Sequence, residues 1–474
     1  MGSSSDSKGH AVVVGGSIAG LLATRVLSEH FRWVTLIERD RFPDGPEPRK
    51  GIPQARHVHV LLKRGRIILG QLFPGLDNEL VALGAPVVDI AADAAWLTPA
   101  GWGVRFYSDL DTISFGRDLL DWRIRRRLGI CTNVRFLEEH EVTELLANVN
   151  GTGIAGVRVS PCNQLNRRSE QLLYADLVVD ASGRGSQAPR WLEALGYPRP
   201  RETKIHAHLG YASRIYQRLA RFECDWKVVF VQTAPPNFMR GGALFPIEGD
   251  RWIVTLAGGD SDYPPTDEAG FLEYARSLRT PLLYKAIKDA KPLSPIHRYL
   301  ATENRRRHYE KLSRMPDNFL VTGDATCAFN PIYGQGMTTA ALGAMALDEC
   351  LREQRRLKTD GNLAGFNRRF QKKLAKVNSA PWMLATGEDL RYRGTDGGRP
   401  DFLTPLLHRY MDRVTLLSTK DARVRSVLLE VLGILKPPAA LFGPVIALEV
   451  LRQAVTQLMV EEEQKPEHKL SEPA

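Results

Sequence analysis

Cysteine is scarce in this chain of 474 residues. Five cysteines are present, an odd number, and none of them forms a Cys-x-x-Cys pair. This number and spacing argue against a disulfide framework and against a structural zinc site. His57 and His59 do not complete a metal site, because the sequence places no carboxylate or third histidine beside them. We therefore expect no metal, and a reducing, cytoplasmic location.

Long apolar runs are also missing. The nearest candidate, residues 439–448, is too short to span a membrane and contains Pro444. The first apolar run follows polar residues and is interrupted by Gly15 and Gly16, which is not typical of a secretory signal. We therefore expect no transmembrane segment.

Acidic residues are fewer than basic residues in this chain. The chain has 64 Lys and Arg residues against 54 Asp and Glu residues, a net charge of +10. An ordinary basic surface explains this excess, and attraction to an anionic partner is the alternative. The densest basic run, residues 123–127, is broken by Ile124 and follows a helical pattern, so we do not expect a nucleic-acid partner.

The first strong signature is the segment Ala11–Gly20, which reads AVVVGGSIAG. An apolar strand, a glycine turn and a helix are followed by a second strand ending at Glu38. This is the pattern of a dinucleotide-binding βαβ unit, in which the helix N-terminus faces a pyrophosphate and the acid binds a ribose. Ser17 replaces the middle glycine of the usual fingerprint but is still small. The alternative is a generic βα turn with an exposed glutamate.

Two further glycine signatures lie far downstream. Residues 176–186 read DLVVDASGRGS, a buried strand entering a tight turn. Residues 320–325 read LVTGDA, and residues 330–337 read NPIYGQGM before a long helix. No second complete βαβ fingerprint exists for a nicotinamide cofactor, so either NAD(P)H visits transiently or a separate reductase supplies electrons.

Together the three signatures resemble the FAD-binding frame of the para-hydroxybenzoate-hydroxylase-type monooxygenases. A finer similarity to the bacterial polyether epoxidases of the lasalocid and monensin type rests on five segments outside the first signature. These segments are residues 49–57, 120–122, 246–255, 328–337 and 382–386.

The resemblance implies an α/β fold: a Rossmann-like FAD-binding domain with an inserted β-sheet substrate domain and a helical C-terminal region. The predicted FAD-binding domain is discontinuous and comprises residues 1–80, 115–200 and 300–380. Residues 81–114 and 201–299 form the predicted substrate domain. Residues 381–460 form the predicted helical region, and the charged tail 461–474 is expected to be disordered.

The resemblance also implies specific roles. Asp324 would bind a ribityl hydroxyl, and Arg117 would reach the ribityl–phosphate region, unless it only pairs with Asp121 within its helix. Pro331, Gly334 and Gln335 are the catalytic candidates, because they begin a helix whose N-terminus would face the reduced flavin. The expected cofactor-binding residues are Gly15, Ser17, Ile18, Ala19, Gly20, Glu38, Arg39, Arg49, Lys50, Gln54, Arg117, Asp180, Gly183, Gly323, Asp324, Gly334, Gly336 and Met337. For the basic segment 49–59, a surface loop is the alternative.

The expected function is an FAD-dependent monooxygenase that uses O2 and NAD(P)H on a hydrophobic, polyketide- or terpenoid-like substrate. Alkene epoxidation in secondary metabolism is favoured, because the predicted substrate domain shows no convincing His–Asp or Tyr–base pair. His208, Tyr211 and Arg214 lie on predicted strands, and the sequence does not indicate which face of the sheet they occupy. The alternatives are an aromatic hydroxylase, a flavin oxidoreductase of the geranylgeranyl-reductase kind, and a non-catalytic flavin-binding partner. A halogenase is disfavoured, because this sequence lacks the Trp-x-Trp-x-Ile-Pro run and the active lysine near the first fingerprint that mark halogenases. A flavin reductase or an acyl carrier protein is the expected macromolecular partner.

Overall fold

The computed structural model describes residues 9–162, 170–358 and 361–463. The strands are β1 (His10–Val14), β2 (Trp33–Ile37), β3 (Val87–Asp89), β4 (Ala94–Thr98), β5 (Gly101–Trp102), β6 (Asp111–Ile113), β7 (Val134–Leu137), β8 (His140–Ala147), β9 (Ile154–Pro161), β10 (Gln171–Tyr174), β11 (Leu177–Asp180), β12 (Glu202–Ile205), β13 (Gly210–Gln217), β14 (Val228–Val231), β15 (Arg240–Ile247), β16 (Arg251–Gly258), β17 (His297–Tyr299), β18 (Asn304–Arg307), β19 (Phe319–Val321) and β20 (Cys327–Ala328).

The α-helices follow the same chain order. They are α1 (Ile18–His30), α2 (Lys63–Leu72), α3 (Leu76–Ala82), α4 (Arg117–Gly129), α5 (Ala188–Ala194), α6 (Glu268–Arg276), α7 (Leu282–Ile287), α8 (Gly336–Leu357), α9 (Phe366–Val377), α10 (Ser379–Asp389), α11 (Thr404–Leu417), α12 (Ala422–Leu432) and α13 (Pro444–Glu463). No helix in the described ranges combines the length and apolarity that crossing a bilayer requires.

A five-stranded parallel sheet organises the first lobe. Its strand order is β19-β11-β1-β2-β7, and each neighbouring pair is parallel. The central strand β1 is almost wholly buried, as expected of a strand covered on both faces. Val14 of β1 is level with Asp180 of β11, and Asp180 is level with Val321 of β19. The three glycine signatures therefore leave the sheet at the same edge and on adjacent strands.

Helices cover this sheet. One apolar cluster joins the inward face of α1 to α4, α8 and α9, with Leu21, Leu120, Leu347 and Phe370 at its centre. A second cluster on the opposite face joins β1 and β11 to the β8–β9 pair and α5. Burial of both faces explains why the strand sequences are continuously apolar.

A seven-stranded sheet organises the second lobe. Its order is β17-β13-β16-β15-β14-β4-β5, antiparallel except for the parallel β14–β4 pair. Helices α6 and α7 pack on one face of this sheet around Phe271 and Leu283. The helices α11, α12 and α13 form a separate apolar cluster around Val414, Val424 and Ile446. The α/β fold class, with its β-sheet lobe and helical C-terminal region, is confirmed, whereas the exact domain boundaries stay predictions.

Several local expectations need correction. The periodicity from His59 to Leu72 predicts a helix, but α2 begins at Lys63, because Val58 donates its N–H to Thr255 Oγ1 and residue 62 is extended. The pattern over residues 171–179 predicts one strand, whereas the structure has two strands there in different sheets, β10 and β11. The helical pattern of residues 268–290 corresponds to two short helices, α6 and α7. Helix α13 continues to Glu463, into the segment expected to be disordered, and residues 464–474 lie outside the described ranges.

Gly20 is a position where a side chain has no space. An added Cβ would lie 1.8 Å from the carbonyl oxygen of Gly15, which is backbone and cannot rotate away. We expect Gly20→Ala to destabilise the protein by about 1–3 kcal/mol, as overpacking does. Gly70→Ala in α2 is the matched control, because an added Cβ there meets nothing within 4 Å. That control should gain about 0.4–1 kcal/mol. Thermal unfolding of both variants measures the difference, and equal midpoints would contradict the packing argument.

Candidate functional site

A cavity of about 1410 Å³ lies where the two lobes meet. Its wall combines the carboxyl edge of the parallel sheet, the seven-stranded sheet and helices α10, α11 and α12. Ordinary ligand pockets occupy roughly 300–1,000 Å³, so this cavity has room for more than one molecule. Location at the carboxyl edge of a parallel sheet is the usual position of a binding site in α/β folds.

The three glycine signatures meet beside this cavity. A Cβ on Gly15 would lie 2.7 Å from the carbonyl oxygen of Ala181, in the second signature. A Cβ on Gly323, in the third signature, would lie 2.6 Å from the Cβ of Ala19. Both glycines also have positive φ angles, 100° and 60°. The Gly15 turn therefore packs against backbone and the Gly323 turn against the Ala19 side chain, so closely that larger residues would not fit.

Most predicted site residues lie in the cavity wall. The wall includes Gly15, Ser17, Ile18, Ala19, Glu38, Arg39, Gln54, Arg117, Gly183, Gly323, Asp324, Pro331, Gly334, Gln335, Gly336 and Met337. Four predicted residues lie behind or outside the wall: Gly20, Arg49, Lys50 and Asp180. Gly20 is instead the packing position described above.

Glu38 is turned toward the first signature. Its carboxylate accepts hydrogen bonds from the N–H of Gly16 at 2.7 Å and from the N–H of Asp40 at 3.1 Å. Arg49 Nη1 lies 3.3 Å from the same carboxylate. The acid at the end of β2 thus stabilises the glycine turn and also borders the cavity.

The side chain of Arg49 contacts groups inside the protein and is not part of the cavity wall. Its Nη2 donates to the carbonyl oxygen of Gly16 at 2.8 Å and lies 3.6 Å from Asp121. Its guanidinium also lies over the ring of Phe42. These partners hold Arg49 behind the wall, while its neighbour Lys50 is exposed and outside it. Neither residue is in a position to close over the cavity in this structure.

Arg117 forms the predicted pair with Asp121, whereas its contact with the cofactor stays a prediction. Its Nε donates to Asp121 at 2.8 Å, four residues along α4, and its Nη2 donates to Ser17 Oγ at 3.2 Å. The side chain is buried and forms part of the wall. Ser17 in turn begins α1 without capping the helix itself, so the first amides of α1 remain free.

Asp180 is buried and stabilises the second glycine turn through hydrogen bonds. It accepts hydrogen bonds from the N–H and hydroxyl of Ser182 and from the hydroxyl of Ser186. Complete burial raises the pKa of Asp180. Gly183, which follows on the turn, has a φ of 79° and reaches the wall.

Asp324 lies deep in the molecule but faces the cavity. Its side chain is 41% exposed, and its nearest cation, Arg184, is 3.9 Å away. The surrounding protein raises the pKa of this carboxyl, mainly by desolvation. A carboxylate held in this position can accept hydrogen bonds from hydroxyl groups of a ligand.

The N-terminus of α8 is an open part of the wall. Gly334 has a φ of 64°, and an added Cβ at Gly336 would meet nothing within 4 Å. The buried Oε1 of Gln335 has no hydrogen-bond partner among the described residues. The helix begins without a side-chain cap, so its first amides and its dipole are available to a negatively charged group.

A polar network behind this turn was missed by sequence reasoning. Asp389 on α10 accepts hydrogen bonds from Tyr333 Oη at 2.5 Å, from Asn304 Nδ2 at 2.5 Å and from Asn330 Nδ2 at 3.3 Å. Tyr211 Oη donates to Asn330. No sequence motif marks Asp389, which lies 56 positions from its tyrosine partner and follows an unremarkable helix.

Histidine 57 lies in the wall on the substrate-lobe side. Its Nδ1 is 2.7 Å from Ser213 Oγ, which is 2.6 Å from Thr255 Oγ1. Burial lowers the pKa of His57 to about 3 and that of His59 to about 4, so both rings are neutral near pH 7. The residues around His57 therefore supply hydroxyl and imidazole hydrogen bonds without adding charge.

The expected absence of acid–base pairs in the substrate block needs correction. Tyr211 faces inward and belongs to the cavity wall. His208 Nε2 lies 2.8 Å from Asp396, and Arg214 Nε donates to the carbonyl oxygen of Ser294. Neither His208 nor Arg214 is in the wall. The one His–Asp pair among these three residues thus forms between His208 and a residue of a later segment, outside the wall.

Comparison with known proteins gives one close relative and many similar folds. No protein-family model matches the chain. Protein Rv3254 of Mycobacterium tuberculosis is 35% identical over 392 residues, which cover 81% of each chain. The flavin-dependent brominase Bmp2 has a similar fold, with a TM-score of 0.64 at 16% identity, covering 95% of this chain and 100% of that one. PqsL of Pseudomonas aeruginosa, a probable FAD-dependent monooxygenase, has a TM-score of 0.57 at 18% identity, covering 81% and 99%.

Asp389 gives the site a measurable pH dependence. Burial raises its pKa to about 7, against the opposing effect of its hydrogen bonds. The folded protein therefore binds this proton more tightly than the unfolded chain does, whose carboxyl has a pKa of about 3.9. The stability contributed by Asp389 is full below about pH 4 and is lost as the pH rises to about 7.

We expect Asp389→Asn to remove this pH-dependent contribution to the stability of the folded protein. The fall in unfolding midpoint between pH 5 and pH 8 should be smaller in the variant than in the unmodified protein. Asp225→Asn, which changes a carboxylate that is 83% exposed, is the control and should leave the fall unchanged. Equal falls in all three proteins would show that Asp389 does not titrate in this range.

Proposed function

The chain belongs to the same family as Protein Rv3254, and from its fold and cavity we propose that it is an FAD-dependent monooxygenase. It uses O2 and NAD(P)H to insert one oxygen atom into a hydrophobic organic substrate. The observation that carries this proposal is the meeting of three glycine turns and two uncapped helix N-termini at one cavity.

The residues present fit FAD. The free amides of α1 beside Ser17 suit a pyrophosphate, and Glu38 suits an adenosine ribose. Asp324 suits a ribityl hydroxyl, and the open space at Gly336 with the unpartnered Gln335 suits a flat polar ring edge. When bound, FAD supplies the redox chemistry that activates O2 and delivers one oxygen atom.

The protein's own contribution is electrostatic and steric. The N-terminus of α8 carries about half a positive charge, which stabilises negative charge on a group seated against Gly336. Apolar wall residues such as Val231, Phe245 and Leu429 exclude water from the remaining space.

Epoxidation of an alkene or polyene in secondary metabolism is the proposed reaction. Hydroxylation of a phenol needs a base beside the substrate. Tyr211 and Tyr333, both in the wall, have pKa values raised well above the ordinary value by burial, so they stay protonated. Asp389 is fully buried behind Tyr333 and does not reach the cavity. The wall also contains His57, whose pKa of about 3 makes it a weak base, and Glu388 and Asp412, which pair with Arg391. An alkene needs no base, which supports the epoxidase proposal.

Other activities lack a supporting observation. Bmp2 shares only the fold at 16% identity, and the tryptophan motif of halogenases is absent from this sequence. NAD(P)H as the direct reductant, and a flavin reductase or acyl carrier protein as partner, remain predictions.

Asp324→Ala tests the flavin site. Loss of a carboxylate that faces the cavity and would accept a ribityl hydrogen bond should weaken FAD binding by about tenfold or more and leave the purified protein colourless. Asp289→Ala, a surface carboxylate that is 70% exposed, is the control and should stay yellow. The ratio of flavin absorbance to protein absorbance measures the effect. Stoichiometric flavin in the Asp324 variant would show that this carboxylate does not hold the cofactor.

Labelled oxygen tests the reaction. The protein is incubated with FAD, NADPH, a flavin reductase and ¹⁸O2, together with a panel of polyenes and phenols. We expect one labelled atom in an epoxide product of a polyene, detected by mass spectrometry. A labelled phenol instead would establish the aromatic hydroxylase, and no label in any product would reject a monooxygenase.

A further inference from the structure

Arg425 is a buried cation that has no ion-pair partner in the described part of the chain. Its side chain, on α12, is 1% exposed, and it forms part of the cavity wall. Among the described residues no carboxylate lies within ion-pair distance of its guanidinium, and its Nε and Nη2 have no hydrogen-bond partner. Its one aromatic contact is with Trp96 of β4, at 5.5 Å from the ring centroid.

Three other buried arginines pair with a carboxylate, and a fourth, Arg125, donates to the carbonyl oxygen of Pro43 and lies over the ring of Phe42. Arg49 and Arg117 share Asp121, and Arg307 pairs with Glu202. A buried charge without a partner carries a large desolvation penalty, so proteins seldom retain one without a use. Burial lowers the pKa of Arg425 only to about 10, so the guanidinium remains charged near pH 7.

The space for this guanidinium depends on a glycine in the facing hairpin. A Cβ on Gly103 would lie 1.9 Å from Nη1 of Arg425. The substrate lobe and the C-terminal helices therefore fit together around the charged group itself. The unsatisfied nitrogen atoms belong to a side chain held between the two regions.

Much of this part of the wall is apolar, although it also contains Thr415 and the paired side chains of Arg391 and Asp412. Leu428, Leu429 and Leu432 follow Arg425 on α12 and also line the cavity. Toward solvent, the wall continues in Met383, Leu407 and Phe442, which are large exposed apolar side chains. A molecule that fits here combines a hydrocarbon body with one negative group.

We propose that Arg425 binds the carboxylate of an amphiphilic substrate whose apolar chain lies along α12. The inference rests on the proposed function, since it names the class of substrate that the same cavity accepts. A carboxylate carries the single charge that one guanidinium balances, and its two oxygens match the planar fork of arginine. A substrate held as a thioester on a carrier protein has no free carboxylate at that end, so the unbound acid is the expected form.

Binding of a polyene acid and its ester tests the assignment. Arachidonic acid and methyl arachidonate, below their critical micelle concentrations, are titrated into the full-length protein as purified, and tryptophan fluorescence reports binding. We expect the acid to bind about tenfold to a hundredfold more tightly than the ester, as for a charge-assisted hydrogen bond. In Arg425→Gln the two dissociation constants should become equal.

Arg423→Gln is the matched control. Arg423 lies two residues earlier on the same helix, is 75% exposed and pairs with Asp421, so its loss removes the same charge outside the cavity. This variant should keep the preference for the acid. Arg425→Lys, which keeps the charge but not the planar fork, should show an intermediate preference and serves if the glutamine variant does not fold.

The outcomes separate this inference from the proposed function. Failure of the acid to bind, equal affinity for acid and ester in the unmodified protein, or an unchanged preference in Arg425→Gln would overturn the assignment. An acid preference in a protein that incorporates no labelled oxygen would retain the carboxylate site and reject the monooxygenase. Labelled product without any preference for the acid would retain the monooxygenase and reject the carboxylate site.

Discussion

The close approach of three turns at one edge of the parallel sheet is the constraint on which the rest of the structure depends. Because β1, β11 and β19 are parallel and in register, their glycine turns must share a small volume. Gly15 against Ala181 and Gly323 against Ala19 leave no room for a side chain. This packing brings the N-terminus of α1 and the Gly323 turn to the same cavity.

Charge around the cavity is balanced in one part and unbalanced in another. Behind the first signature, Glu38, Arg49, Asp121 and Arg117 neutralise each other, so they contribute rigidity and orientation more than net charge. The N-terminus of α8 and Arg425 have no such compensation. Ligands that carry negative charge at two separated points suit this distribution, and the apolar wall between them suits hydrocarbon.

The C-terminal helices contribute more to the site than their sequence indicates. Asp389 of α10 receives hydrogen bonds from the turn before α8, and Arg425 of α12 contacts Trp96 of the seven-stranded sheet. These helices therefore close the cavity and join the two lobes. Apart from residues 382–386, these helices carry no sequence motif, so sequence patterns do not identify the residues at the substrate end of the cavity.

The sequence by itself determined the parallel sheet, the order of its signatures and the helices that follow them. Glycine spacing and apolar periodicity act over a few tens of residues, which is enough to identify a βαβ unit such as residues 10–37. Only the tertiary structure decided that Arg49 pairs inside, that Asp180 supports a turn and that Asp389 and Arg425 are buried. Burial and pairing depend on segments far apart in the chain, and a local pattern carries no information about which distant residue will lie beside a charge.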